Sequence, residues 1–160
     1  MAPVSWRLWA FLLVLVVAYF TLTLALGLGR AAPDLLAVAV LLAARRLPGA
    51  GAAAVGFVLG IMRDALSLTA FGASTVALTL VAFLAAKSRE LFIGDSLLFI
   101  AAYLFVGKWL YDAVFFLLAR HEFRESALAF LLIQAPLAAA YAAVTGAVAL
   151  IFYRMIAADL

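Results

Sequence analysis

Cysteine is absent and histidine occurs once, at His121. Without thiols there is no disulfide, thiolate nucleophile or thiolate metal site, and one histidine cannot build the usual zinc centres. Charge is also scarce: charged residues make up 12% of the 160 positions and hydrophobic residues 71%, against roughly 25% and 45–50% in soluble domains. This leaves room for one compact membrane domain, 1–160, and for no soluble domain of ordinary size. His-Glu-x-x-His, Gly-x-Ser-x-Gly and phosphate-loop patterns are missing, as is any repeat of 20 to 50 residues. The net charge of +3 is spread over helix ends, which argues against nucleic-acid binding. No catalytic residue, cofactor or metal is expected.

What the chain has is apolar length. Leu8 to Leu28 and Ser126 to Tyr153 are uncharged runs long enough to cross a roughly 30 Å hydrocarbon core. The first exceeds the 7 to 15 residues of a signal-peptide h-region, so it reads as an uncleaved helix. Charges and prolines divide the rest, and an all-α, polytopic protein of six transmembrane helices is expected at about 8–28, 33–44, 47–62, 71–86, 97–119 and 126–153. The second and third runs are short for a crossing. A hairpin re-entering one face would bury Arg45 and Arg46 at its tip, which is very unfavourable; snorkelling at the surface instead extends two true spans. Pro33 suits a first helical turn, Pro48 with Gly49 and Gly51 marks another start, and Pro136 should kink the last helix.

Lysine and arginine in short loops set orientation. Arg7, Arg45, Arg46, Lys87, Arg89 and Arg154 fall on one side, and Arg30, Arg63, Arg120 and Arg124 on the other. Acids, among them Asp34, Asp64, Glu122 and Glu125, offset the smaller group, so both termini are expected in the cytoplasm. Trp6, Trp9 and Tyr153 suit the inner interface as aromatic anchors.

Four residues of the third helix, Ala52, Gly56, Gly60 and Asp64, stand four apart and share one face. Glycines there admit another backbone, a main source of attraction between helices in lipid. This face is the candidate for helix packing or for a partner's helix. An acid at such depth needs a partner, and Asp64 is expected to accept from Ser67 or Thr69, or from amides opening the next helix near Gly72, Ala73 and Ser74. Arg63, about 100° away on the helix, is expected to snorkel outward. Asp34 reads as a helix cap. Lys108 and Asp112 interrupt the fifth helix four residues apart and read as an ion pair, with Arg63 as another possible partner. His121, among Arg120, Glu122, Arg124 and Glu125, reads as solvated loop.

Pro33-Asp34-Leu35-Leu36, then Gly56-Phe57-Val58-Leu59-Gly60-Ile61-Met62-Arg63-Asp64-Ala65-Leu66-Ser67, then Phe71-Gly72 before an Ala- and Leu-rich helix, resemble the bacterial rod shape-determining protein MreD family. The likeness is strongest from about Pro33 to Phe92. Asp112 falls where that family tends to carry an acid, and Leu68 stands where it often has glycine. The resemblance implies a non-enzymatic component of the elongation machinery in the inner (cytoplasmic) membrane, needed for rod shape and lateral peptidoglycan synthesis. Implied partners are MreC, a single-span periplasmic protein, MreB filaments, and RodA with its class B penicillin-binding transpeptidase. It also implies a fold similar to the substrate-binding subunits of energy-coupling-factor transporters.

Two functions follow. The first is a scaffold that binds another protein's transmembrane helix. The second is a vitamin-binding transporter subunit, which needs a closed pocket with convergent polar groups, for which Asp34, Asp64, Lys108, Asp112 and Gln134 are the few candidates. A pore is disfavoured, since no helix carries a polar stripe.

Overall fold

The computed structural model describes residues 6–25, 33–66, 71–88, 96–119 and 130–158. Within them the chain forms six α-helices: α1 Trp6–Phe20, α2 Leu35–Ala44, α3 Gly49–Asp64, α4 Ala73–Ser88, α5 Leu97–Leu118 and α6 Ala135–Ala158. Trp6–Leu24, Leu97–Leu118 and Phe130–Met155 are long and apolar enough to span a membrane.

The organising element is α2. All ten of its residues are buried, which explains why its sequence is apolar all round rather than on one stripe. Its neighbours close in through small residues. The hydrogen of Gly107 in α5 faces Leu41, and Gly146 in α6 faces Val38 and Leu104. Tyr103 Oη of α5 donates to the Leu41 carbonyl at 3.0 Å, meeting the polar need of a buried tyrosine. At 1.5 Å per residue, α2 is only about 15 Å long, half of a roughly 30 Å core. Its amino end therefore lies far from the turn carrying Arg45 and Arg46, at the level of the middle of α5.

Helix boundaries depart from the prolines in two places. Asp34 is the N-cap of α2 and accepts from the Ala37 amide, so Pro33 precedes the helix instead of occupying its first turn. Pro136 is the second residue of α6 and follows a π-helical turn, Phe130–Gln134, so the missing hydrogen bond falls at the junction of the two. The Leu131 carbonyl, whose fifth residue onward is Pro136 and offers no N–H, accepts from Trp109 Nε1 at 3.1 Å. Pro48 is the N-cap of α3. A second π turn, Thr21–Ala25, extends α1.

Two sets of contacts orient the bundle. Arg45 lies over the Tyr103 ring, and a Cβ on Gly49 would meet the Lys87 side chain, so the α2–α3 turn, the end of α4 and the start of α5 share one end. Arg63 lies over Tyr111 and Asp64 bonds to Ser74 and Thr75, which joins the end of α3, the start of α4 and the distal half of α5. Helices α3, α4 and α5 thus run alternately up and down.

Candidate functional site

The small-residue ladder of α3 makes its close contact with α4 of the same chain. Ala52, Gly56, Gly60 and Asp64 are its buried residues. A Cβ on Gly56 would stand 2.5 Å from the Leu78 carbonyl oxygen, and one on Gly60 2.4 Å from Thr75 Cα. Backbone meets backbone here, so the face is already filled by a neighbouring helix of its own chain.

Asp64 completes this contact chemically. Its Oδ1 accepts from the Ser74 amide at 3.1 Å, and its Oδ2 from the Thr75 amide at 2.8 Å and the Thr75 hydroxyl at 2.6 Å. The amides of Ser74 and Thr75 are the second and third of α4, the donors an N-cap side chain ordinarily satisfies. Gly72, with a positive φ of 92°, has no side chain to do so. Asp64 therefore caps α4 from another helix, and its charge faces the positive end of the α4 dipole. Ser67, Thr69 and Leu68 lie outside the described residues, as do His121, Glu122, Arg120, Arg124 and Glu125.

One turn away a second polar group joins α2, α3 and α5. Arg63 NH1 donates to Asp34 Oδ1 at 2.9 Å and to Oδ2 at 2.8 Å. Lys108 Nζ lies 3.2 Å from the same Oδ2 and also bonds to Asp112 Oδ1. The order Arg63, Asp34, Lys108, Asp112 alternates in sign and sums to zero. Aromatic faces line it: the Arg63 guanidinium is 5.1 Å from the Tyr111 centroid and 5.7 Å from that of Tyr19, and Lys108 Nζ is 4.9 Å from that of Tyr111. Cations over ring faces gain more when removed from water.

Arg63 departs from the outward orientation its sequence position suggests. Instead of snorkelling outward it turns into the bundle, its side chain 24% exposed, because the Asp34 carboxylate and two ring faces lie within its reach. Asp34 is more than a cap: it receives the Ala37 amide and both cations. Lys108 and Asp112 are in contact as a pair four apart, but Lys108 is shared with Asp34. Asp112 Oδ2 is buried with no hydrogen-bond partner among the described residues. The ladder, Asp64 and the charge network all lie on the packed side of α3, while Phe57, Val58, Ile61 and Met62 face outward.

Chemically, the arrangement fastens helices. Asp64 is saturated by three donors of α4, and the other two described acids converge on cations of the same chain. The site residues missed from the sequence are Thr75, Tyr19 and Tyr111, whose ordinary appearance in helices gives no signal. The Arg63–Asp34 pair had no local signal, since the two residues stand 29 apart in sequence.

The family model for the rod shape-determining protein MreD matches residues 3–157. No curated protein and no solved structure gives a significant match. A match over nearly the whole length, together with three helices able to span a membrane, means that this chain belongs to the MreD family of rod shape-determining membrane proteins.

Proposed function

We propose that this protein is a non-enzymatic, multi-pass scaffold of the elongation machinery in the bacterial cytoplasmic membrane, with both termini cytoplasmic. It binds the transmembrane helix of MreC and links it to MreB and to RodA with its class B penicillin-binding transpeptidase, supporting lateral peptidoglycan synthesis. The observation that carries this reading is where the polar chemistry goes. Asp34, Arg63, Asp64, Lys108 and Asp112 are spent on holding α2, α3, α4 and α5 together, while the outer faces of α1, α3 and α6 expose Leu13, Val17, Phe57, Val58, Leu137 and Val144. A rigid bundle with apolar flanks suits association with other membrane helices by packing.

The test is co-purification in mild detergent of the tagged chain with co-expressed MreC. Stoichiometric recovery is expected, and recovery of folded protein alone would count against the reading. The transporter alternative lacks comparable support, because the polar groups named for a vitamin pocket, other than Gln134, meet oppositely charged or hydrogen-bonding partners of the chain itself. The likeness to energy-coupling-factor subunits rests on the family resemblance alone.

A further inference from the structure

The geometry points to an anionic phospholipid site in the groove between α4 and α5, with the headgroup held at Lys87 and Ser88 and an acyl chain lying toward the bilayer centre. The groove encloses about 430 Å³. From α4 it is lined by Val81, Leu84, Ala85, Lys87 and Ser88, and from α5 by Tyr103, Val106, Gly107 and Leu110. Because the two helices run in opposite directions, Ser88 and Tyr103 mark one end and Val81 and Leu110 the other. Seven residues of α4 separate those ends, about 10 Å of rise.

Polarity is ordered along that length. Lys87 and Ser88 stand together at the terminus of α4, and the deeper walls are aliphatic. This is the order a phospholipid presents from the interface inward. Lys87 Nζ sits 5.8 Å from the Phe83 ring centroid, and among the described residues no carboxylate lies within ion-pair distance of it. The three described acids are engaged elsewhere, Asp34 and Asp112 with Arg63 and Lys108 around the middle of α5 and Asp64 at the start of α4. Ser88 Oγ donates to the Ala85 carbonyl at 3.2 Å and can turn to a phosphate oxygen instead. Charge complementarity thus selects an anionic headgroup over a zwitterionic one.

A second open groove lies between α3 and α4. It is similar in volume, about 450 Å³, and is lined by Ala53, Phe57, Thr75, Val76, Thr79, Leu80 and Phe83. Its hydroxyls are bonded within the chain, Thr75 to Asp64 and Thr79 to the Thr75 carbonyl, and its lining residues include no cation, although Lys87 Nζ lies over the ring of Phe83 at its edge.

The experiment is native mass spectrometry of the full-length protein in mild detergent, titrated with phosphatidylglycerol and with phosphatidylcholine of identical chains. One bound phosphatidylglycerol is expected in preference to phosphatidylcholine. Lys87→Gln should lower that preference about fivefold, the weight of one basic side chain at an anionic surface. Val106→Trp, at a position 46% exposed and so tolerated by the fold, should remove the bound lipid by filling the groove. Arg46→Gln, exposed at the same end but outside the lining, should change neither. Equal losses from Arg46→Gln and Lys87→Gln would mean diffuse surface charge and overturn the site. So would equal binding of the two lipids, or retention by Val106→Trp. A second protein's helix occupying the groove, seen by cross-linking from Val106, would overturn it as well. None of these outcomes depends on the proposed partnership with MreC.

Discussion

Placing one methyl group at position 60 should break the contact on which α3 and α4 depend. The hydrogen of Gly60 points at α4 backbone, and a Cβ there would stand 2.4 Å from Thr75 Cα, 3.0 Å from Thr75 N and 3.1 Å from the Ser74 carbonyl oxygen. These are main-chain atoms of a helix and cannot rotate away. To reach ordinary carbon contact of about 3.5–4.0 Å, α4 must retreat by more than 1 Å at that turn, a displacement worked from the 2.4 Å approach. Asp64 lies one turn further along the same face, so the retreat stretches all three of its bonds to Ser74 and Thr75, now 2.6 to 3.1 Å. Overpacking typically costs about 1–3 kcal/mol, and losing one hydrogen bond to a charged group about 1.5–3. Gly60→Ala should therefore destabilise by about 3–5 kcal/mol, and Gly60→Leu should prevent assembly of the fold. The control is Gly51→Ala, whose Cβ would meet Pro48 and Leu47 side chains at 3.5 Å or more and should leave stability unchanged or slightly raised. Unfolding of the detergent-solubilised protein, followed by tryptophan fluorescence, makes the comparison. Equal midpoints for Gly60→Ala and Gly51→Ala would refute the reasoning.

Three further outcomes are expected. Asp64→Asn keeps one acceptor for the α4 amides but removes the charge facing the dipole, and should lose about 1–3 kcal/mol in the same unfolding assay; an unchanged midpoint would mean that the cap contributes nothing. Asp34→Asn should cost about 3–5 kcal/mol, because it leaves Arg63 and Lys108 without their shared carboxylate. Asp34→Asn combined with Arg63→Met should then be less damaging than the sum of the two single changes, and strict additivity in that double-mutant cycle would separate the two side chains. Tyr103→Phe should cost about 0.5–1.5 kcal/mol through the bond to the Leu41 carbonyl, without altering the helical circular dichroism.

The membrane character and the six helices were legible because bilayer thickness and hydrogen-bond satisfaction constrain a spanning segment so strongly. The spacing of Gly56, Gly60 and Asp64 was legible for a local reason: a period of four on a helix defines a face whatever the tertiary structure. What that face touches was not, since a glycine ladder reads the same whether its neighbour is α4 or another protein. Arg63 was misjudged because its partner Asp34 is 29 residues distant and joins it only through the packing of α2 against α3. The π turn before Pro136 was not legible, because it carries no sequence period of its own. The shortness of α2 could be read from its flanking prolines and arginines; that its amino end would hold Asp34 beside Lys108 could not, because depth in the bundle depends on how α5 lies alongside.

The most direct test of the scaffold reading is mild-detergent purification of the tagged full-length chain co-expressed with MreC, alongside Asp64→Asn as a variant altered only inside the bundle. The expected result is a stoichiometric complex for the natural chain, and for the variant wherever it remains folded, because Asp64 faces α4 and not the exterior. Folded, monodisperse protein that elutes without MreC would contradict the scaffold reading.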